Sequence, residues 1–347
     1  MREFNYGVYI GRFQPFHIGH EHIVREALNK VDTLIIIIGS SYQSRTPINP
    51  FTFEERKSMI RSVFSHEFAT GRLIVMPMID HERDADWVSE VQMIVYEAVL
   101  DHGNNGGVRL HGKNDFKIAL AGFGKDASSF YLKMFPEWGS IQIDTQHGTI
   151  NASDIRHDYI RRLPRMPRDA VSPKVFDFLS SFSLIEPFKR LVIERDALEH
   201  DAKLYGKGPF MCADALVTWR NKILLVTRGG KIGHGLYAMP GGFVEEGERT
   251  FDACIRELGE ETKLDGKRWG DFLVNEKLAD NPKRSLRGRV YSQVHYFAIP
   301  AEIEVARPVG ADDAKHADWY DFRTLLREQF FDDHYDLIRN ITQENYL

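Results

Sequence analysis

Cysteine is scarce in this chain, which has only Cys212 and Cys254 among its 347 residues. The two stand far apart in apolar surroundings, so their spacing fits neither a redox motif nor a metal-ligand pair. We therefore expect two buried free thiols, and a disulfide scaffold is excluded.

Long hydrophobic runs are also lacking. The stretch TLIIIIG at residues 33–39 is far too short to span a bilayer, which takes about 20 apolar residues. The N-terminus shows no charged-then-apolar signal pattern, so we expect a cytoplasmic protein without a membrane partner.

An excess of positive charge is lacking as well, since the formal net charge is −5. A nucleic-acid-binding protein would show clustered excess Lys and Arg. We therefore expect no nucleic-acid partner, and anionic substrates must be held by local donors. The composition leaves the oligomeric state open, with a homo-oligomer among the alternatives.

In the first half of the chain, near-continuous apolar runs alternate with helical patterns. The predicted strands are 6–10, 33–40, 72–78, 116–123 and 140–145, and the predicted helices are 20–31, 52–64, 86–100 and 152–163. Thr52 and Glu55 have capping-box spacing, which marks a helix start. Such alternation predicts a Rossmann-like parallel sheet covered by helices on both faces.

After residue 208 the pattern changes to longer β-type runs with few helices. A proline-rich segment and two helical patterns precede this change. We predict a first domain with the parallel sheet at 1–183, a linker helix at 184–207 and a mixed α/β domain at 208–347.

The stretch GRFQPFHIGH, residues 11–20, links the first strand to the first helix. Ligands of open parallel sheets bind at the carboxyl ends of strands, and helix N-termini attract phosphate. His17 and His20 can both reach one phosphate chain, and Gly19 allows close backbone approach. For either histidine taken alone, a helix-cap role is the alternative.

This stretch resembles the His-x-Gly-His marker of the nucleotidyltransferase superfamily. The second marker of that superfamily, Ile-Ser-x-Thr-x-x-Arg, is similar to INASDIR at 150–156. Asn151 and Ser153 replace Ser and Thr but keep polar capping groups. Arg156 supplies the fixed positive charge.

Residues 39–56, GSSYQSRTPINPFTFEER, resemble the archaeal-type nicotinamide mononucleotide adenylyltransferases. DADWV at 84–88 fits that branch too, where a Trp stacks on the nicotinamide ring, and GFGKD at 122–126 resembles a related bifunctional branch. A packing role is the alternative for Trp87.

The resemblance implies that the mononucleotide phosphate attacks the α-phosphorus of ATP, assisted by Mg²⁺ and without a protein nucleophile. The implied catalytic residues are His17, His20 and Arg156. The implied ATP-binding residues are Gly11, Arg12, Phe13, His17, Gly19, His20, Arg45, Ser153 and Arg156. The implied mononucleotide-binding residues are Gly39, Ser40, Asn49 and Trp87. Another adenylyl or cytidylyl transferase is the rival for this half.

A second candidate site lies in the glutamate-rich stretch 241–262. On a helix, Glu257 and Glu261 lie one turn apart, with Glu260 adjacent. Carboxylates this close repel one another unless a hard cation lies among them, and such cations activate water and neutralise pyrophosphate. Arg256 can orient the cluster through a bidentate contact. A solvated acidic helix face is the alternative.

The spacing of this stretch resembles the Nudix box, which implies an α/β/α sandwich. The matching residues are Gly242, Glu248, Arg256, Glu257, Glu260 and Glu261. Lys263 stands where the box has Gly, which puts the helix C-cap in question. The catalytic residues implied are Glu257, Glu260 and Glu261, and the metal ligands implied are these three and Gly241, with Mg²⁺ or alternatively Mn²⁺.

Residues 281–292 resemble a segment of ADP-ribose-directed Nudix proteins, which implies that Arg284 and Arg287 bind ADP-ribose. Together the two halves resemble the bifunctional nicotinamide mononucleotide adenylyltransferase and Nudix hydrolase family. We expect ATP, nicotinamide mononucleotide and ADP-ribose as substrates, and NAD, AMP and ribose 5-phosphate as products. The alternatives for the second half are a non-catalytic ADP-ribose sensor and an enzyme for another nucleoside diphosphate derivative.

Overall fold

The computed structural model describes residues 2–105, 116–122, 134–144, 150–161 and 168–344. The chain divides into two compact units, Met1–Val192 and Ile193–Leu347. Most of the predicted GFGKD motif lies outside the described residues. Within the described residues, no helix combines the length and apolarity needed to cross a membrane.

The first unit is built on a parallel sheet. Its strands are β1 (Phe4–Gly11), β2 (Val31–Ile38), β3 (Leu73–Pro77), β4 (Ile118–Gly122) and β5 (Gly139–Gln142). Its helices are α1 (Ile18–Lys30), α2 (Phe53–Val63), α3 (Ser65–Ala69), α4 (Asp84–Asn105), α5 (Ala152–Ile160) and α6 (Pro173–Phe182). The sheet order is β3-β2-β1-β4-β5, with every neighbouring pair parallel.

This sheet is covered on both faces because its strands are apolar on both. Leu34 and Ile36 of β2 face one core cluster, and Ile35 and Ile37 face the other. The strand order reverses between β1 and β4, which creates the crevice where doubly wound sheets bind ligands. The predicted Rossmann-like parallel sheet is confirmed.

A long helix, α7 (Glu186–Tyr205), occupies most of the predicted linker. The boundary between the compact units falls inside it, after Val192. Phe188 and Leu191 at its start belong to the core of the first unit, together with Tyr159 and Phe182.

The second unit is built on a mixed sheet. Its strands are β6 (Phe210–Trp219), β7 (Lys222–Arg228), β8 (Tyr237–Ala238), β9 (Gly241–Phe243), β10 (Leu273–Ala279), β11 (Val290–Ile299) and β12 (Ala314–Tyr320). Its helices are α8 (Thr250–Thr262) and α9 (His334–Glu344), besides short 3-10 turns. The order is β10-β11-β6-β7-β12, with β8 paired to β7 and β9 paired to β6.

The helices of this unit cover opposite faces of the sheet. Leu258 of α8 packs with Val217 of β6, while Ile338 of α9 packs with Leu216 on the other face. This is the predicted α/β/α sandwich. Strands β6 and β7 pair directly only at Thr218–Trp219 with Lys222–Ile223 and then diverge, and β9 takes up the free edge of β6. The glutamate-rich stretch 241–262 therefore begins in β9, as a strand of this sheet.

Candidate active sites

The loop between β1 and α1 lies at the reversal point of the first sheet and carries both predicted histidines. His17 is the N-cap of α1. The His20 backbone N–H donates to Nδ1 of His17 at 3.4 Å, and the His17 N–H donates to Nδ1 of His20 at 3.3 Å. The two rings stack with their centroids 3.5 Å apart. The pair therefore both caps the helix and packs as one unit.

This arrangement fixes the tautomers of the two imidazoles. Because each Nδ1 accepts a backbone N–H, the neutral ring carries its proton on Nε2. Burial and the nearby charge of His17 hold the pKa of His20 well below its usual value. His20 is therefore a neutral N–H donor, suited to a phosphate oxygen.

Close packing shapes the rest of this loop. A Cβ on Gly19 would lie 3.1 Å from the His17 ring, and one on Gly11 would lie 2.8 Å from the Phe13 ring. Phe13 has a φ of 51° and packs edge-on against His20, with ring centroids 4.9 Å apart. The roles of Gly11, Phe13 and Gly19 in ATP binding stay predictions.

Arg156 joins the start of α5 to this loop. Its Nη1 donates to the Gln14 carbonyl at 2.7 Å and its Nη2 to Oγ of Ser153 at 3.0 Å. Burial and the neighbouring charge of Arg12 lower the pKa of Arg156 to about 10. Asn151 caps α5, accepting from the backbone N–H of Ser153 at 2.8 Å. Two of the residues predicted for the triphosphate, Arg12 and Arg156, thus lie near each other.

Two buried side chains that we did not assign to a site hold the loops after β1 and β2. Arg56 donates to the carbonyls of Arg12 at 2.8 Å, Gly39 at 2.7 Å and Ser40 at 3.1 Å. Gln14 exchanges two hydrogen bonds with the backbone of Phe51. A charged residue on the apolar face of α2 was the available signal for Arg56.

Two of the residues predicted for the mononucleotide, Ser40 and Asn49, are linked by hydrogen bonds through Gln43 and Asp80, which sequence reasoning missed. Oγ of Ser40 donates to Asp80 at 2.8 Å, Gln43 donates to Asp80 at 2.9 Å, and Asn49 donates to Gln43 at 2.8 Å. Oδ1 of Asn49 is buried and accepts no hydrogen bond from the described residues. It is suited to a ligand N–H.

Trp87, which was predicted to bind the mononucleotide, and Arg45, which was predicted to bind ATP, lie in different surroundings. Trp87 of α4 is half-buried, with its ring centroid 5.9 Å from that of Phe135. Arg45 forms a bidentate ion pair with Glu55, at 2.6 and 2.8 Å, and also donates to the Pro50 carbonyl. Arg45 would have to leave Glu55 to bind a phosphate, so its role stays a prediction.

In the second unit, Arg256 organises the glutamates. It makes a bidentate contact with Glu248, at 2.9 and 3.0 Å, and Nη1 donates to both Glu257 and Glu260 at 2.9 Å. These hydrogen bonds raise the pKa of Arg256, and the bond to Glu248 contributes most. The bidentate contact is therefore with Glu248, outside the predicted cluster, while Glu257 and Glu260 of the cluster each accept one bond.

Glu257 and Glu261 lie beside the two glycines of β9. Glu261 is buried and accepts the N–H of Gly241 at 3.0 Å. Burial raises the pKa of Glu261 to about 8, and burial also raises that of Glu257. A Cβ on Gly242 would lie 2.3 Å from Glu257 Oε1. The glycine therefore leaves room for the carboxylate.

Asp214 of β6 is a second buried carboxylate beside this site, and no sequence pattern pointed to it. Ser292 donates to it, and a Cβ on Gly241 would lie 2.3 Å from its Oδ1. Burial raises the pKa of Asp214, and its charge raises that of Glu261 in turn.

The donor set fits a hard divalent cation. Carboxylate and carbonyl oxygens are its preferred ligands, and buried like charges are relieved when a cation joins them. Among the described residues, no three His, Cys, Asp or Glu side chains are already grouped around one point. Glu261 is hydrogen-bonded to Gly241, while Glu257 and Glu260 each accept a hydrogen bond from Arg256. The predicted ligand set stays a prediction.

Lys263, which stands where the Nudix box has Gly, is the C-cap of α8. It adopts the left-handed conformation, with a φ of 59°, and its N–H donates to the Gly259 carbonyl at 3.0 Å. The cap geometry that favours glycine is therefore kept without glycine.

Arg284 and Arg287, the two residues predicted to bind ADP-ribose, have different neighbours. Arg284 is buried and bidentate with Asp333, at 2.8 and 2.9 Å. The guanidinium of Arg287 lies 5.4 Å from the Phe331 ring centroid and 5.7 Å from that of Phe243. Arg287 therefore lies beside an aromatic surface, with the Asp332 carboxylate 3.8 Å away, whereas Arg284 is held by two short bonds to one carboxylate.

A nucleotide-binding sheet with a His-x-Gly-His loop, followed by a sandwich with a glutamate helix, defines a two-site nucleotide enzyme. Residues 8–94 match the family described as cytidylyltransferase-like, and residues 210–341 match the NUDIX domain. The chain belongs to the family of bifunctional nicotinamide mononucleotide adenylyltransferase/Nudix hydrolase proteins.

Individual relatives support this assignment. A bifunctional NMN adenylyltransferase/ADP ribose pyrophosphatase from Francisella tularensis, crystallised with AMP and a manganese ion, is 31% identical and superimposes with a TM-score of 0.83, over 98% of this chain and 99% of that one. A nicotinamide/nicotinic acid mononucleotide adenylyltransferase from Acinetobacter baylyi is 34% identical over 191 residues, 55% of this chain and 93% of the relative. A nicotinamide-nucleotide adenylyltransferase from Saccharolobus solfataricus is 44% identical over 86 residues, 24% of this chain and 50% of the relative.

Proposed function

We propose that the first unit makes NAD by transferring the adenylyl group of ATP to nicotinamide mononucleotide, with release of pyrophosphate. The observation that carries this proposal is the His17–His20 pair beside Arg156 at the reversal point of the sheet. Family membership supports the same activity.

The chemistry requires no protein nucleophile. A phosphate oxygen of the mononucleotide attacks the α-phosphorus of ATP, and the bond to pyrophosphate breaks on the opposite side. The Nε2–H of His20 donates to the phosphate chain, and Arg12 and Arg156 offset its charge. Holding two anions in line is the main task, and proximity of this kind supplies roughly 7–11 kcal/mol in well-oriented reactions.

For the mononucleotide, we propose that Trp87 stacks on the cationic pyridine ring. Trp87→Ala should raise KM for nicotinamide mononucleotide and leave KM for ATP nearly unchanged. Trp138→Ala is the matched control, since Trp138 also stacks on Phe135, with ring centroids 4.5 Å apart. Similar losses in both variants, or equal losses for both substrates, would assign Trp87 to packing.

We propose that the second unit hydrolyses ADP-ribose to AMP and ribose 5-phosphate. The carrying observation is the half-buried Glu257 beside Gly242 and the buried Glu261 beside Gly241. Glu257, Glu260, Glu261 and Gly241 would hold the cation, for which we propose Mg²⁺ with Mn²⁺ as the alternative. When bound, the ion neutralises the pyrophosphate and activates water. Arg256 orients the glutamates.

Chromatographic analysis of products, with calorimetry of ADP-ribose binding, tests this activity. The wild-type chain should release AMP with either metal. Glu261→Gln should lower hydrolysis by orders of magnitude and leave NAD synthesis unchanged. Glu246→Gln removes one charge from an exposed position of the same segment and should have no effect. Tight binding without AMP release by the wild type would identify a sensor instead.

A further inference from the structure

A single peptide unit in the loop between β7 and β8 connects two charged side chains. The Ile232 carbonyl accepts from Nε of Arg228 at 3.2 Å. The N–H of the same peptide, on Gly233, donates to Oε1 of Glu194 at 3.0 Å. Glu194 belongs to α7, ahead of the predicted Nudix domain. Its carboxylate thus fixes the peptide that holds the Arg228 guanidinium.

Dense packing leaves this peptide little freedom. Gly233 has a φ of 68°, and a Cβ on it would lie 2.3 Å from the Phe331 ring. The loop closes where the Gly235 N–H donates to the Arg228 carbonyl at 2.9 Å and the Arg228 N–H donates to the Leu236 carbonyl at 2.9 Å. A displacement of Gly233 would therefore be passed on to Arg228.

Arg228 lies where an anion would be favoured. Its guanidinium is 4.1 Å from the Phe331 ring centroid, and that of Arg287 is 5.4 Å from the same centroid. Burial and the charge of Arg287 both lower the pKa of Arg228, while Asp332, whose carboxylate lies 3.8 Å from Arg287, and Glu261 are near enough to oppose that shift. Two neighbouring guanidiniums beside the glutamate site suit the phosphate oxygens of a pyrophosphate-linked substrate.

We propose that Arg228 binds the phosphate groups of the Nudix substrate, and that Glu194 is a positioning residue acting on it through the Ile232–Gly233 peptide. This inference rests on the proposed ADP-ribose function of the second unit. It assigns α7, outside the predicted Nudix domain, a part in the site.

A double-mutant cycle in the full-length chain tests the proposal. Arg228→Ala and Glu194→Ala should each raise KM for ADP-ribose by about tenfold, the size of one hydrogen bond to a charged group. The double variant should be no worse than Arg228→Ala alone, because both changes remove one contact. Glu194→Gln keeps an oxygen that accepts from Gly233 and should recover most of the affinity.

The controls separate positioning from loss of structure. Asp196→Asn changes an exposed carboxylate on the same helix and should leave KM unchanged. NAD synthesis should be unaffected in all variants with altered KM, and the rise in KM should not scale with any fall in melting temperature. Multiplying effects in the double variant, or an unchanged KM in Glu194→Ala, would overturn the coupling.

If the wild type binds ADP-ribose without cleaving it, the same cycle is run on calorimetric Kd values. The hydrolase proposal would then be wrong, and the coupling would be judged from the Kd values by the same comparison of the single and double variants. If the wild type neither binds nor cleaves ADP-ribose, both the proposed substrate and this inference are wrong.

Discussion

His20 combines two roles in one ring, since Nδ1 serves the helix cap and Nε2–H remains for the phosphate. His20→Ala should lower kcat for NAD synthesis by about 10²-fold, as when one preorganised donor to a transition-state oxygen is lost. KM for nicotinamide mononucleotide should change much less. Steady-state kinetics of the purified variant measures both.

Two further variants make this test specific. His20→Asn keeps an N–H donor and an acceptor for the His17 N–H, so it should retain more activity than alanine. His22→Ala alters an exposed histidine of the same helix, whose ring contacts the Asp144 carbonyl, and should be neutral. A His20→Ala protein that folds and keeps wild-type kcat would remove His20 from the catalytic residues.

The raised pKa of Glu261, about 8, predicts pH-dependent metal affinity. Below pH 8 the carboxyl is protonated, so a cation must displace its proton and binding weakens as pH falls. Affinity for Mn²⁺ should rise about tenfold per pH unit from 6 to 8 and level off above, by proton linkage. Calorimetry from pH 6 to 9 checks this.

Glu246→Gln should reproduce the same pH profile, because that side chain is exposed and outside the glutamate helix. Glu261→Gln should bind weakly and lose the dependence near pH 8. A wild-type profile that is flat between pH 6 and 8 would show that the carboxyl is already ionised in the metal-free protein.

At the scale of elements, the end of α8 carries strain. Lys263 has a φ of 59°, and a residue with a Cβ pays roughly 1–2 kcal/mol there. Lys263→Gly should therefore raise the free energy of unfolding by about 1 kcal/mol, since part of the gain is offset by the flexibility of glycine. Denaturant titration measures it, with Lys263→Ala as a control that should bring no gain. A destabilised glycine variant would contradict the strain.

The helices and strands were predictable because they depend on local sequence patterns. The apolar run at 33–40 contains most of β2, and the Thr52–Glu55 capping box forms as predicted, with Thr52 accepting from the Glu55 N–H at 3.3 Å. Arg56, Asp80 and Asp214 were not assigned, because each acts through partners distant in sequence. The spacing of glutamates predicts a shared helix face, but only the fold shows that Asp214 lies beside it.

For the whole molecule, α7 decides where the chain can be divided. Phe188 and Leu191 are 3% and 2% exposed in the core of the first unit, whereas Glu194 contacts Gly233 in the second. The helix therefore contributes to the core of one unit and, by the inference above, to the site of the other. A cut on either side of it should consequently harm one unit.

Four fragments test this division. A fragment ending at Val192 should make NAD with the kcat of the full chain. One ending at Ser181 loses Phe182, Phe188 and Leu191, and burial of each such side chain contributes about 1.5–3 kcal/mol, so it should unfold at much lower denaturant. A fragment starting at Ile193 keeps Glu194 and should hydrolyse ADP-ribose with the full-length KM, while one starting at Lys207 should show the raised KM of Glu194→Ala. Equal KM values in the last two would mean that α7 plays no part in the Nudix site, because a folded unit without Glu194 would then bind its substrate as well as one that has it.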